Sequence, residues 1–116
     1  MSNGDCLFCK IVSGEVPATL VRESEATIAF RDINPQAPTH VLVVPREHHR
    51  TVADLAAADE AVLAEVVREA GAVADSEGVA GSGYRIVFNT GSGAGQTVWH
   101  VHAHVLGGRG LSWPPG

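Results

Sequence analysis

The sequence has no excess of basic residues and no long apolar run, and both absences exclude classes of function. Eight Lys and Arg residues stand against 13 Asp and Glu residues, which gives a formal net charge of −5. Broad binding to nucleic acid needs an excess of cations and is not expected. Runs such as Val41-Leu42-Val43-Val44 are far shorter than the ~20 residues that span a bilayer. The first residues lack the basic and apolar regions of a signal peptide, so we expect a cytoplasmic protein that binds neither nucleic acid nor a membrane.

Cysteine is scarce as well, because the chain contains only Cys6 and Cys9. In a reducing compartment a disulfide explains such a pair poorly, which leaves metal binding, redox chemistry or chance. The Cys-x-x-Cys spacing lets two thiolates share one tetrahedral zinc ion, which would need two further ligands. Two reduced thiols in the core, or a redox pair, are the alternatives.

The length of 116 residues fits one domain, residues 1–116, whose modest core would gain appreciable stability from a metal or a second subunit. The hydropathy pattern predicts an α+β order and not the strand–helix alternation of a Rossmann domain. One long helix is expected over about residues 59–77, with Gly78 as its C-cap. Strands are expected over residues 18–22, 27–33, 39–45, 84–90 and 97–106.

Three of the six histidines, His100, His102 and His104, alternate along the last predicted strand. All three imidazoles should therefore point to one face, with neighbours ~6.7 Å apart. The residues beside and between them should pack under the helix: Trp99, Val101, Ala103 and Val105. A solvated polar face is one alternative, and a zinc ion shared by two neighbouring histidines is another. His100 and His104, ~13 Å apart, cannot share one ion, so a metal alone does not account for all three.

The segment His100-Val-His-Ala-His-Val resembles the signature of the histidine triad (HIT) family, in which apolar residues separate three histidines. The resemblance covers almost the whole chain and includes Cys6-Leu-Phe-Cys-Lys-Ile-Val, Phe30-Arg-Asp-Ile-Asn-Pro-Gln-Ala-Pro-Thr-His, Val43-Val-Pro-Arg-Glu-His, Asn89-Thr-Gly and Gly95-Gln-Thr-Val-Trp. The C-terminal Leu-Gly-Gly-Arg and Trp113-Pro-Pro-Gly are similar to the Hint branch in particular. The resemblance implies a HIT-like fold: an antiparallel sheet of about five strands, one long helix and a short N-terminal helical segment.

The same resemblance implies a reaction. In this family the middle histidine attacks the α-phosphorus of a nucleotide and water then hydrolyses the nucleotidyl-histidine, which makes His102 the nucleophile. Neutral imidazole suits this task because a pKa of about 6.5 leaves a free lone pair. His104 and His40 would be hydrogen-bonding partners near the phosphate. A histidine at the third triad position, where the transferase branch carries Gln, favours hydrolysis over nucleotidyl transfer.

A nucleotide pocket is implied around these histidines. A glycine-containing loop, unless it is an ordinary flexible hairpin, would let the backbone approach a phosphate: Gly93, Gly95, Gln96 and Thr97. The Thr97 hydroxyl is a donor, and Asp32 resembles the ribose-binding acid of the family. Asn89 would reach the ribose or the phosphate, or else form a turn. Four residues match the walls of the base pocket, with core packing as an equally good explanation: Phe8, Ile11, Phe30 and Ile33.

HIT relatives with the N-terminal cysteine pair bind zinc, and the resemblance implies a closed structural site of Cys6, Cys9, His48 and His100. The adjacent His49 leaves the third ligand open by one residue. Such an ion would tie the N-terminus to the catalytic strand and leave His102 free. The chemistry itself would need no cofactor.

The leading hypothesis is a hydrolase that cleaves the P–N bond of purine nucleoside phosphoramidates, or related adenylates, and binds an AMP-like nucleotide. Hydrolysis of dinucleoside polyphosphates is one alternative, and nucleotide sensing with incidental activity is another. A metalloenzyme acting on a substrate other than a nucleotide is more distant.

Hint-type proteins are homodimers, so the resemblance also implies a homodimer. The long helix would turn one apolar side to the sheet and one to the partner, with the sides formed by Val62, Val66 and Val73 and by Leu63, Val67 and Ala70. The strand over residues 84–90 would pair across a two-fold axis. Trp113 would lie against protein near the partner's active site, with a frayed terminus as the alternative.

Overall fold

The chain folds as an antiparallel sheet with helices against both faces in the computed structural model, which describes residues 5–116. In chain order the elements are α1 (Leu7–Val12), β1 (Leu20–Glu23), β2 (Thr27–Arg31), β3 (Thr39–Pro45), α2 (Val52–Ala58), α3 (Glu60–Ser76), β4 (Tyr84–Val87) and β5 (Ala103–Gly107), with a 3₁₀ turn at Ser92–Ala94 before β5. The strands lie in the order β1-β2-β3-β5-β4, and every neighbouring pair is antiparallel. The predicted α+β class, with five strands and a short N-terminal helix, is confirmed.

The central strand β3 is buried along its whole length. Val41 and Val43 belong to the core beneath α2 and α3, whereas Leu42 and Val44 belong to a second core that includes Phe8 of α1. Because both faces of the strand are covered, it is a continuous apolar run without polar alternation. The predicted buried strand at residues 39–45 is therefore confirmed, and the two faces of the sheet carry separate cores.

The long helix α3 places Val66, Ala70, Val73 and Ala74 against the sheet. The predicted division into two apolar sides is wrong in one respect, because Ala70 lies on the buried face with Val66 and Val73, as i, i+4 and i+7 spacing requires. Gly78, at φ +77°, follows the end of the helix as predicted. Within residues 5–116 no helix has both the length and the apolar character needed to cross a bilayer.

The helix α2 was not expected from the sequence. Its first turn is capped by Thr51, whose Oγ1 accepts a hydrogen bond from the Asp54 backbone N–H at 3.2 Å. Leu55, in the middle of the helix, is fully buried in the core under α3. The Thr-x-x-Asp spacing is typical of the start of a helix and could have predicted α2 from the sequence.

The predicted last strand, residues 97–106, is wrong in its first half, because β5 begins at Ala103. Ala103 pairs with Val43, and two residues further along the ladder Val101 would lie opposite Pro45. Pro45 has no backbone N–H to continue the ladder, and its carbonyl oxygen accepts a hydrogen bond from Nε2 of the His100 ring at 2.8 Å. The chain therefore joins the sheet only after the first two histidines of the triad.

Candidate active site and metal cluster

A cavity of about 390 Å³ opens on the face of the sheet that α1 covers, a volume at the lower end of small-molecule pockets. The walls come from α1, the end of β2 and the segment over residues 95–98, and His102 and His104 also face it. Of the residues predicted around the nucleotide, Gly93 and Gln96 do not line this cavity. The others do: Phe8, Ile11, Phe30, Asp32, Ile33, Asn89, Gly95, Thr97, His102 and His104.

His102 stands at the cavity wall in one defined tautomer. Its Nδ1 lies 2.8 Å from the carbonyl oxygen of His100, and a carbonyl only accepts, so Nδ1 carries the hydrogen and Nε2 keeps its lone pair. Burial lowers the pKa of His102, more than the His100 carbonyl and Asp32 raise it. The imidazole is therefore neutral at pH 7, with a free nitrogen available for attack.

His104 lies next to His102, with ring centroids 4.9 Å apart, and its pKa is lowered to about 4 by burial. Its Nδ1 is 2.9 Å from Nε2 of His40, and Nδ1 of His40 is 3.0 Å from the backbone nitrogen of Gln36. Asp32 Oδ2 lies 3.4 Å from the same His40 Nε2. The predicted hydrogen-bonding partners His40 and His104 are thus in contact, but His104 lines the cavity whereas buried His40 lies behind it.

The apolar wall of the cavity is also part of the core. Phe8 meets Phe30 edge-on with centroids 5.4 Å apart, and it meets His102 at 5.0 Å with the rings perpendicular. Both phenylalanines are at least 95% buried in the chain, so core packing and pocket lining are not alternatives for them. Ile33 is instead fully exposed at the cavity mouth, so core packing does not explain it.

Hydrogen bonds from the Gln96 side chain hold the loop over residues 91–96 in place, so it is not a freely flexible hairpin. The Gln96 side chain accepts a hydrogen bond from the Gly91 backbone N–H at 3.0 Å and donates to the carbonyls of Arg50 and Val98 at 2.9 and 3.1 Å. Gln96 is therefore buried beneath the loop and does not face the cavity, contrary to its predicted place. Gly95, at φ +89°, makes a turn that side chains rarely adopt, and the next cavity-lining residue is Thr97.

Cys6, Cys9, His48 and His100 form a cluster whose ligand atoms all lie within 4.8 Å of one another. Nδ1 of His100 is 3.4 and 3.5 Å from the two sulfurs, and Nδ1 of His48 is 3.4 Å from Cys9 Sγ. These spacings suit a tetrahedral zinc ion, whose usual bond lengths place sulfur and nitrogen ligands ~3.5 Å apart. His100 also donates from Nε2 to Pro45, which leaves Nδ1 a lone pair and provides the outer hydrogen bond that metal-bound histidines usually have.

Sequence reasoning missed part of the cavity lining. Leu42 lines the cavity and is paired in the sheet with His104; its position two residues after His40 on a predicted strand was the signal. Val98 and several residues of the segment between α1 and β1 also line it. These follow from the path of loops, for which the sequence carries no periodic pattern.

Comparisons with known proteins agree with this geometry. The sequence profile of the HIT domain matches residues 13–111. The purine nucleoside phosphoramidase of Escherichia coli K12 is 43% identical over 107 residues, which are 92% of this chain and 90% of that protein. A 14 kDa zinc-binding protein of Zea mays is 44% identical over 119 residues, covering 100% of this chain and 91% of the relative.

Solved structures show the same fold. A HIT family hydrolase from Legionella pneumophila Philadelphia 1 has a TM-score of 0.93 and 52% identity, covering 97% of this chain and 100% of that one. A HIT family hydrolase from Clostridium thermocellum has a TM-score of 0.89 and 44% identity, with 93% and 94% covered. His102 and His104 line the cavity and His100 lies in the cysteine–histidine cluster. With these three alternating histidines, this chain belongs to the histidine triad (HIT) family.

Proposed function

We propose that this chain is a nucleotide hydrolase of the Hint type, which cleaves the P–N bond of purine nucleoside phosphoramidates through a nucleotidyl-histidine on His102. The observation that carries the proposal is the neutral His102, with Nδ1–H held by the His100 carbonyl and Nε2 free at the cavity wall. The similarity to the Escherichia coli phosphoramidase supports the choice of substrate class.

In the proposed reaction, His102 Nε2 attacks the α-phosphorus, a bond forms between Nε2 and phosphorus, and the bond from phosphorus to the amine breaks. The leaving amine keeps the electron pair of the broken bond and takes up a proton from solvent. Water then attacks the same phosphorus and releases a proton to solvent, which balances the one taken up by the amine. Nε2 departs with its electron pair, and a nucleoside monophosphate is released. The His100 carbonyl stabilises the positive charge that His102 carries in the intermediate, because it accepts from Nδ1–H throughout.

The other cavity groups have roles that follow from their chemistry. The Thr97 hydroxyl is a donor for a phosphate oxygen, and the Asp32 carboxylate accepts hydrogen bonds from two adjacent ribose hydroxyls. One Asp32 oxygen already accepts from the Asn34 backbone N–H at 2.8 Å, which fixes the carboxylate at the end of β2. Phe8, Phe30 and Ile33 offer an apolar surface for a purine ring.

One structural zinc ion per chain is part of this proposal, held by Cys6, Cys9, His48 and His100. The donor set, the sulfur–nitrogen spacings and the zinc-binding relative support it. When bound, zinc would stabilise the fold and would not take part in the reaction, since a site with four protein ligands has no open position for water or substrate. The ligands lie at the start of α1 (with Cys6 as its N-cap residue), in the segment after β3 and in the segment before β5. A bound ion would therefore hold the helix that forms one cavity wall against the triad segment.

We also propose that the chain forms a homodimer through α3 and β4. β4 is an edge strand, and Tyr84 on it and Val67 on α3 are both partly exposed large side chains. The two elements are adjacent, because a Cβ at Gly71 of α3 would lie 3.8 Å from the Tyr84 hydroxyl. A partner covering this surface would protect both the open strand edge and the exposed apolar groups.

Turnover of adenosine 5′-phosphoramidate by the purified protein tests the function, with His102→Ala as the variant and His49→Gln as its matched control. His49 lies outside the cavity; its half-buried side chain places Nε2 3.4 Å from a carboxylate oxygen of the exposed Glu47. His102→Ala should lower kcat at least ~10³-fold while the dissociation constant for AMP changes by less than about tenfold, because the other cavity walls remain. His49→Gln should keep parental turnover. Parental turnover in His102→Ala would contradict the proposal.

A further inference from the structure

The two cysteine side chains lie close together across the first turn of α1. Cys6 is the N-cap residue, and its Sγ accepts a hydrogen bond from the Cys9 backbone N–H at 3.4 Å. Both cysteines are free thiols, and their sulfurs lie within 4.8 Å of one another. A disulfide needs sulfurs ~2.05 Å apart, so rotation of the two side chains across one helical turn brings them within bonding distance.

The two thiols differ in their access to solvent. Cys6 is 2% exposed, whereas Cys9 is half-buried. A peroxide therefore reaches Cys9 first, and Cys6 lies beside it as a second thiol. Redox-sensitive proteins often have this arrangement, because the second thiol captures the first oxidation product as a disulfide before it is oxidised further.

The helix α1 is attached to the rest of the fold by side chains. In residues 5–116, the backbone hydrogen bonds at the ends of this helix stay within residues 6–16. Phe8 packs in the second core, and the two sulfurs lie 3.4–3.5 Å from the imidazoles of His48 and His100. The cysteine–histidine cluster is therefore a polar connection between α1 and the triad segment.

The segment after β3 and the segment before β5 are joined without the cysteines. The Val101 backbone N–H donates to the His49 carbonyl at 2.7 Å, and His100 Nε2 donates to the Pro45 carbonyl at 2.8 Å. The hydrogen bond from His102 Nδ1 to the His100 carbonyl also needs neither sulfur. Loss of the two thiolates would therefore release α1 and leave the triad segment in place.

We propose that Cys6 and Cys9 are a peroxide-sensitive pair, whose oxidation to a disulfide ends zinc binding and releases α1 from the triad segment. The parts that concern zinc and the nucleotide rest on the proposed function, whereas disulfide formation does not. Phe8 and Ile11 of α1 line the cavity, so the release weakens nucleotide binding. His102 keeps its hydrogen bond to the backbone, so the reaction of bound substrate changes little.

The oxidation balances with one molecule of hydrogen peroxide per chain. The Cys9 thiolate attacks one peroxide oxygen, the O–O bond breaks, and the departing hydroxide takes up a proton from solvent to become water. Cys9 then carries a sulfenic acid. The Cys6 thiolate attacks the Cys9 sulfur, the S–O bond breaks, and the second hydroxide also leaves as water after taking up a proton. The two sulfurs together lose two electrons, and the disulfide has no thiolate left to hold an ion.

Alkylation of the thiols, followed by intact mass, tests the disulfide. Zinc-loaded parent is exposed to hydrogen peroxide, denatured and treated with iodoacetamide, and released zinc is measured with a metallochromic dye. Before exposure both cysteines should be alkylated; after it neither should be, with about one zinc released per disulfide. Dithiothreitol should restore both thiols. A sulfinic acid on Cys9, a disulfide between two chains, or zinc released while both thiols remain would overturn the proposal.

Two variants serve as controls for this oxidation. Cys6→Ser leaves Cys9 without its second thiol, so excess peroxide should oxidise Cys9 to a sulfinic acid that dithiothreitol does not reverse. His49→Gln changes a neighbour of the cluster and no proposed ligand, and it should form the disulfide as the parent does. Fully reversible oxidation of Cys9 in Cys6→Ser would contradict the role given to Cys6.

Titration with AMP tests the effect on the cavity. The dissociation constant should rise at least about tenfold in the disulfide form, since one wall is no longer held in the binding conformation. The value of kcat at saturating substrate should stay within about threefold. Hydrogen exchange of the α1 amides should become faster on oxidation, whereas exchange in β3 should not change. Unchanged AMP affinity or unchanged α1 exchange in protein that carries the disulfide would overturn the proposal.

The proposed function and this inference fail in different ways. If the disulfide forms, zinc is released and AMP binding weakens, but the zinc-loaded parent does not cleave phosphoramidates, the proposed function is wrong and the peroxide-sensitive pair stands. If the zinc-loaded parent cleaves phosphoramidates and peroxide forms no disulfide within the chain, this inference is wrong and the proposed function stands.

Discussion

Phe8 and Leu7 are neighbours on α1, and truncating each to Ala tests whether this helix belongs to the core of the protein. Phe8 is 5% exposed and contacts Phe30 and His102 edge-on, whereas Leu7 is 45% exposed. Removal of a buried phenyl ring costs about 3–5 kcal/mol. Phe8→Ala should lower the free energy of unfolding by ~3 kcal/mol, at the lower end of this range, because the residues around the cavity can relax into the space. Leu7→Ala should cost about 1 kcal/mol, since roughly half of its side chain is already in water.

Urea unfolding followed by far-UV circular dichroism measures both variants, with the zinc content held equal. A difference of ~2 kcal/mol between two adjacent positions of one short helix would show that α1 is packed as described. Equal losses of unfolding free energy in the two variants would refute the reasoning, because they would mean that Phe8 is not packed in the second core. Phe8→Ala should also weaken AMP binding, since the ring lines the cavity.

Three further predictions concern pH, zinc and assembly. Burial lowers the pKa of His104 to about 4, below the value of 6.5 for a free imidazole, so between these values the unfolded chain binds more protons than the folded chain. The contribution of His104 to the free energy of unfolding should therefore be complete above pH 6.5 and be lost as the pH is lowered towards 4. Urea unfolding at each pH should show this fall, and a less steep fall in His104→Gln. Elemental analysis should find about one zinc per chain in the parent and in His49→Ala, and none in His48→Ala or the Cys6→Ser, Cys9→Ser double variant; zinc retained by the double variant would contradict the ligand set. Light scattering at micromolar concentration should give twice the chain mass of 12.1 kDa, and Val67→Glu should give the single mass; a monomeric parent would contradict the proposed interface.

The elements with a strong apolar pattern were the ones that the sequence predicted best. β3 was predicted at its observed limits because a continuous apolar run buried on both faces has no ambiguous end. The strand through the triad was predicted too long because the stop comes from Pro45 on another strand. Such a signal lies outside the segment itself and is visible only once the strands are paired.

In the candidate site, too, the residues within a local motif were predicted and those positioned by distant parts of the chain were not. The histidines and Asp32 were found from motif spacing, and alternation placed His102 and His104 on the correct face even though His102 precedes β5. The direction of Gln96 could not be predicted, because its amide satisfies three backbone groups contributed by separate parts of the chain. The hydrogen bond from the Gln36 backbone to His40 could not be predicted either, since every residue except proline has a peptide N–H.

The central claim is the covalent intermediate on His102, and mass spectrometry of the quenched reaction tests it most directly. Protein mixed with adenosine 5′-phosphoramidate and quenched in base, where a phosphorus–nitrogen bond to histidine survives, should carry one added adenylyl group. Peptide mapping should place that group on His102, and the His102→Ala variant should carry none. An adduct on His104 or His40, or turnover in the parent without any adduct under conditions that trap it, would contradict the account.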